Sequence, residues 1–255
     1  MGASARPIRT PDEWLPVGGE REPWGCKVQT AVGTKNHMIV EHDVLNVGHD
    51  RTALVDMAKQ AQMATLKPDL TVLADRECFS GKLIRECEWV GIVPLVPKPP
   101  TLGNRALGHF HKRDFAYNDV RDEFRCPAGK RAIYRMTVEE KGQSLHRYWS
   151  SACRRYQIKS KRTSGTFRRI TRWEHEDVLE RMQQRLNHAP QASRWRRRTV
   201  AQVFGTLKSS AGSTHLLTKT LPRGRTGIGL QVPAHKMKRA MRILGVQPLM
   251  QSMGA

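Results

Sequence analysis

Apolar and polar positions change their rhythm along this chain, and each change marks an element. Residues 26–32 (CKVQTAV) alternate, a turn follows at 33–36, and 37–44 (HMIVEHDV) alternate again, which predicts a β-hairpin. Asp50 is placed to cap a helix in which Leu54, Met57, Ala58 and Ala61 recur on one face. The run 70–74 (LTVLA) is apolar and bounded by Lys67-Pro68-Asp69, the mark of a strand buried on both faces, and Asp75 closes it. Residues 82–90 predict a helix and 92–96 (IVPLV) a further buried strand. Strands alternating with helices predict an α/β core over 26–97.

Beyond that the pattern differs. Pro and Gly crowd 97–108, and 115–151 then read as short strands turning near 119–122 and at Lys141-Gly142. An inserted, β-hairpin-rich subdomain is expected over 98–172, and its last part, 154–172, is strongly basic without any acid. From Trp173 the apolar period turns helical, with Val178, Leu179, Met182 and Leu186 on one face until Pro190. A second helix is expected over 199–209 and a last one through Met237, Ala240, Met241 and Leu244, so that 173–255 completes the core. Residues 1–25, rich in Pro, Gly and charge, read as a flexible arm.

Composition then narrows the function. The chain has 255 residues with 44 Lys plus Arg against 23 Asp plus Glu, a formal charge of +21. Its longest mostly apolar stretch, 91–97, is far shorter than the ~18 residues of a membrane helix, and the start lacks the apolar centre of a signal peptide. No membrane is expected, and the protein is placed in the cytoplasm. Such an excess of cations favours a polyanionic partner, because each cation that meets a phosphate releases a counterion. The nominated contacts are Arg154, Arg155, Lys159, Lys161, Arg162, Arg168, Arg169 and Arg172 in the insertion, with Arg196 and Arg198 beyond it. Trp149, Trp173 and Trp195 lie among them, placed to stack on bases or, the preferred reading, to anchor the insertion. Five cysteines at irregular spacing do not read as a secreted disulfide framework, and Cys126 with Cys153 do not by themselves close a tetrahedral zinc site.

Two places carry candidate chemistry. Asp75 ends a central strand, where α/β folds put ligands and metals, although an Asp there is also an ordinary turn former. In 194–208 (RWRRRTVAQVFGTLK) a helix would align Arg197, Ala201 and Lys208, two cations on either side of a phosphate-sized gap, or a merely solvated basic face.

The segments CKVQTAV, HMIVEHDVLNVGHD, LTVLADRECFSG and IVPLVPKP stand in this order. FRCPAGKRAIYR, HRYWSSACRR, RRITRWEHEDVLERMQQRL, RRRTVAQVFGTLK and MKRAMRILGV follow them. Together, from about Pro11 onward, they resemble bacterial insertion-sequence transposases with a DDE domain. The resemblance implies a ribonuclease H-like core in which three carboxylates hold two Mg²⁺ or Mn²⁺ ions, ~3.5–4 Å apart, across the attacking and leaving oxygens of a DNA phosphate. Asp75 matches the second Asp, a metal ligand. Arg197 and Lys208 match the ends of the pattern Arg-x3-Glu-x6-Lys, but Ala201 fills the place of the Glu. The first Asp belongs on a strand before the hairpin, and the chain reads as starting after it. Glu77 replaces a usual Gly and is a poor substitute ligand, since nothing fixes its direction. Of a Cys-then-C-x2-C-x5-C set, Cys126 and Cys153 remain, while Tyr156 and Arg162 hold the other positions. Gly227, Gly229 and Pro233 fall where a helix is expected, at ~1 kcal/mol for each Gly and ~3 for Pro.

These departures lead to the expectation of a truncated, catalytically degenerate transposase-family protein that binds transposon-end DNA, with metal binding doubtful. It would associate with the nucleoid, as a homo-oligomer or beside an intact transposase. The alternative is a non-catalytic DNA-binding protein acting on transposon ends or on an intact transposase. An RNA-binding protein is a third reading, disfavoured by the ordered segments.

Overall fold

The apolar alternation of the hairpin and the two short buried runs assemble into one sheet. The computed structural model describes residues 2–8, 26–46, 53–99, 110–127, 129–150, 168–210 and 221–253. Three strands, β1 (Gly2–Ile8), β2 (Cys26–Gly33) and β3 (Ile39–Asn46), precede helix α1 (Ala53–Thr65). Then come β4 (Thr71–Ala74), helix α2 (Gly81–Trp89) and β5 (Val93–Leu95). The order across the sheet is β3-β2-β1-β4-β5. Pairing is antiparallel from β3 to β1 and parallel from β1 through β4 to β5.

β1 corrects the expectation of an arm over 1–25. Residues 2–8 form a sheet strand, while 9–25 lie outside the described residues. A strand therefore precedes the hairpin and lies between it and β4 in the sheet.

The chain divides into two compact units, one of Met1–Lys98 with Val178–Ala255 and one of Pro99–Asp177. In the first, α3 (Glu176–His188), α4 (Ala192–Ser210), α5 (Leu221–Leu244) and α6 (Val246–Met253) follow the sheet strands. β4 shows why the sheet is covered on both faces. Leu70, Val72 and Ala74 pack with α1, α2 and the Val178 and Met182 side of α3, whereas Leu73 joins Leu95 and Ala192 on the opposite side. Each buried Leu, Val or Met among these is worth about 1.5–3 kcal/mol. On the β2–β3 hairpin, Val28, Val32, Ile39 and Val44 meet Val200, Val203, Phe204 and Leu207 of α4 and Ile228 and Val232 of α5.

That last contact explains how α5 runs unbroken through Gly227, Gly229 and Pro233. Burial of Ile228 and Val232 outweighs the local propensity cost. Cationic side chains of α5 also reach β3 and its turn. Arg225 Nε donates to the Val44 carbonyl at 3.1 Å, Lys236 Nζ to Val40 at 3.4 Å and Arg239 Nε to Asn36 at 2.7 Å. Two other expectations shift: α4 begins at Ala192 rather than 199, and α6, not the helix through Met237, is the last.

The second unit is a sheet of order β10-β9-β8-β7-β6. Its strands are β6 (Ala116–Asn118), β7 (Glu123–Arg125), β8 (Arg131–Glu140), β9 (Gln143–Trp149) and β10 (Ile170–Trp173), all antiparallel. The β8–β9 turn takes left-handed backbone at both Lys141 (φ 52°) and Gly142 (φ 66°), matching the twist of a tight hairpin. Phe115, Phe124, Cys126, Ala132, Tyr148 and Ile170 make its core.

Candidate functional site

β4 delivers Asp75 to the end of the sheet's parallel part, as its position after LTVLA requires. The carboxylate then caps the short 3-10 turn Arg76–Cys78, Oδ1 accepting from the Arg76 backbone N–H at 2.7 Å. Its second oxygen, Oδ2, lies 2.9 Å from Nη1 of Arg196, and the two side chains are only 16% and 14% exposed. Arg196 Nε and Nη1 are buried without a hydrogen bond of good geometry, so the contact is one of charge. A pair this enclosed has little water to replace a lost partner, and removing one member leaves the other uncompensated.

The sheet-facing side of α4 explains why Arg196 is the partner. Arg196, Val200, Val203 and Leu207 recur at helical spacing, and the last three are buried. Arg197 lies one residue, about 100° of helical turn, away and is exposed, as is Ala201. The side chain of Lys208 lies outside the described residues. The structure thus brings Arg196 to Asp75 and leaves Arg197 and Ala201 facing solvent. The apolar positions Val200, Val203 and Leu207 are legible in the sequence, whereas which of the preceding arginines shares their face is not.

A two-metal centre needs several converging carboxylates. Among the described residues no group of three or more His, Cys, Asp and Glu is placed to hold an ion. β1, beside β4 in the sheet, has no carboxylate in its sequence, and Glu77 is exposed. The described residues do not fit the metal pair.

The nominated DNA contacts fall into three settings. Arg154, Arg155, Lys159, Lys161 and Arg162 lie outside the described residues, as do Cys153 and Tyr156. Arg168 is half-buried: its Nη2 donates to the Phe110 carbonyl at 3.1 Å, and desolvation lowers its pKa. Arg172 lies 3.8 Å above the Tyr117 ring, and Arg169 and Arg135 stand 5.9 Å from the Trp149 ring. Arg198 is exposed, while Arg196 is the partner of Asp75. Trp173 is buried and Trp195 is half exposed, so anchoring suits the first and not the second.

Within the insertion, Asp122 accepts from Tyr117 at 2.8 Å and Tyr148 at 2.6 Å. Burial, then the neighbouring carboxylate, raises both phenol pKa values, Tyr148 strongly, so they remain neutral donors. Cys78, Cys87 and Cys126 are buried, and burial pushes the Cys87 thiol up to about 12, out of reach of thiolate chemistry. No helix among the described residues is long and apolar enough to cross a membrane.

Comparison with known proteins adds to this geometry. Residues 10–221 match the family described as Transposase DDE domain. No curated protein matches the chain. A cryo-EM structure of a piggyBac transposase synaptic complex with hairpin DNA is similar at 8% identity and a TM-score of 0.40, over 92% of this chain. The chain spans 45% of that protein's length.

Proposed function

Because the chain belongs to the transposase DDE-domain family, we propose that it is a DNA-binding protein of a bacterial insertion sequence whose strand-cleavage centre has degenerated. The sheet order, with an antiparallel hairpin on one side and parallel strands on the other, supports a ribonuclease H-like reading of the core. The observation that carries degeneracy is the ion pair between Asp75 and Arg196. Where the family places a metal ligand, this carboxylate has a guanidinium as its counter-charge, and Ala201 supplies no oxygen where the family has Glu.

On this reading the remaining work is binding. Arg169 and Arg198 are exposed, and backbone phosphates need only charge at the right spacing, so affinity should be weakly sequence-specific and steeply salt-dependent. The ends of a transposon are the proposed target, on the nucleoid in the cytoplasm. The same ion pair favours a second reading, in which the chain occupies those ends without cutting, or pairs with an intact transposase. The test is nicking of supercoiled DNA with Mg²⁺ or Mn²⁺, beside Asp75→Asn. The expected result is no nicking above that control with salt-sensitive binding retained. Metal-dependent nicking abolished by the substitution would overturn degeneracy.

A further inference from the structure

A cleft of about 30 Å³ opens in the larger unit where the β2–β3 turn meets α4 and α5. The turn contributes His37, and α4 contributes Gln202 and Thr206. On α5, His235, Lys238, Arg239 and Arg242 recur at i, i+3, i+4 and i+7, one face of the helix. Among the described residues no Asp or Glu lines it. Three cations without an acid is an arrangement that repels metal ions and lacks a counter-charge of its own.

The imidazoles add a second observation. His37 Nδ1 and His235 Nε2 are buried and make no hydrogen bond, an uncommon state for buried polar atoms. The turn is also held in place. His37 N–H donates to the Gly33 carbonyl at 2.9 Å, and its φ of 53° is a left-handed conformation that non-glycine residues adopt at a cost. Arg239 clamps the turn through the Asn36 carbonyl, so two elements present their donors in a fixed arrangement. The volume holds roughly two to three waters, which an entering oxyanion could displace. Arg forks and a Lys ammonium are the donors suited to such an anion.

We propose that this cleft binds one phosphate group, from a nucleic-acid backbone or from a free phosphate ion or ester. Only the nucleic-acid source rests on the DNA-binding reading above. The rings stay neutral in the free protein, because burial and the facing cations oppose their protonation: Arg239 and Arg198 at His37, Arg239 and Lys238 at His235. A bound phosphate would reverse that balance and draw protons onto them.

The test uses the full chain and a Lys238→Gln/Arg242→Gln variant, two exposed side chains outside the core. Arg239 is left intact because it secures the turn. Inorganic phosphate is titrated while the ring resonances of His37 and His235 are followed by NMR, and a short DNA duplex is titrated over a range of salt. The expected result is phosphate-dependent shifts of both rings, phosphate affinity at least tenfold weaker in the variant, and a duplex salt slope smaller by about one. Rings unmoved by phosphate, with the variant unchanged in duplex slope, would overturn the proposal. Rings that shift in a wild-type chain that binds no duplex would sustain the cleft and sink the DNA-binding reading. Shifting rings with an unchanged duplex slope would assign the cleft to free phosphate and overturn its nucleic-acid source. Should the variant not fold, the wild-type ring titration decides on its own.

Discussion

Helix α4 carries polar groups into two opposite settings. Near its start, Arg196 is enclosed against Asp75 and has the charge of a carboxylate to answer it. Further along, Gln202 and Thr206 line a cleft whose cations, Lys238, Arg239 and Arg242, meet no acid among the described residues of the lining. Both places are rich in positive charge, yet only one is electrically closed. Where a cation is answered within the chain it serves the fold; where it is not, the field is available to something that arrives from outside. Counting Lys and Arg along the sequence gives both places the same weight.

Substitutions can break or sharpen that contrast. The largest effect is expected from Arg196→Leu, which strands the Asp75 carboxylate and should lower stability by about 3 kcal/mol, read as a reduced urea midpoint. Asp75→Leu combined with Arg196→Leu should cost much less than either change alone. If single and double variants cost the same, the pair is not structural and the contrast fails. Next comes Asp122→Ala in the insertion, where an acid is answered by neutral hydroxyls instead of a cation. Leaving Tyr117 and the fully buried Tyr148 without an acceptor should cost about 2 kcal/mol in thermal or denaturant unfolding.

Acid should act on the open place. His37 and His235 have pKa values below 6.5 in the folded chain, from burial first and then the facing Arg239, Arg198 and Lys238, with Gln202 and the His37 backbone opposing. His42 is lowered too, again by burial first, with Glu41 and Asp43 opposing and Lys236 assisting. The unfolded chain then takes up protons first as pH falls, so stability should be present above 6.5 and lost below it. Phosphate should reduce that loss, and unfolding midpoints at pH 7.5 and 5.5, with and without phosphate, would read both effects. The smallest effect belongs to Glu88→Gln. Glu88 meets Arg181 at 2.9 Å and Arg185 at 2.5 Å, but both arginines are more than a third exposed, so less than 1 kcal/mol is expected.

What could be read from the sequence follows from which force shaped each element. LTVLA and the β2–β3 alternation are legible because burial dictates their residue types directly. The GASARPI of β1 is not: small residues, an Arg and a Pro give no period, and the strand exists because β2 and β4 flank it. α5 defeats propensity in the same way, with Pro233 held inside a helix by packing on the hairpin. At the site, the place of Asp75 after a buried run is legible, but its partner is not. Which of four clustered basic residues, Arg194, Arg196, Arg197 or Arg198, turns inward depends on the register of a helix whose start was read several residues late. The cleft depends on a turn and two helices distant in sequence, and its histidines show no spacing that would single them out.

The two ends of the five-stranded sheet have a bearing on how copies of this protein meet. At one end α5 lies along β3 and hands cations to its outward carbonyls at Val40 and Val44. At the other, β5 is three residues long and has Pro94, which offers no N–H, at its centre. Among the described residues, both margins are in this way less open to a further strand laid by a second copy. A sheet finished in this way resists growth into fibres along these two margins, and a second copy meeting them would engage mainly side chains.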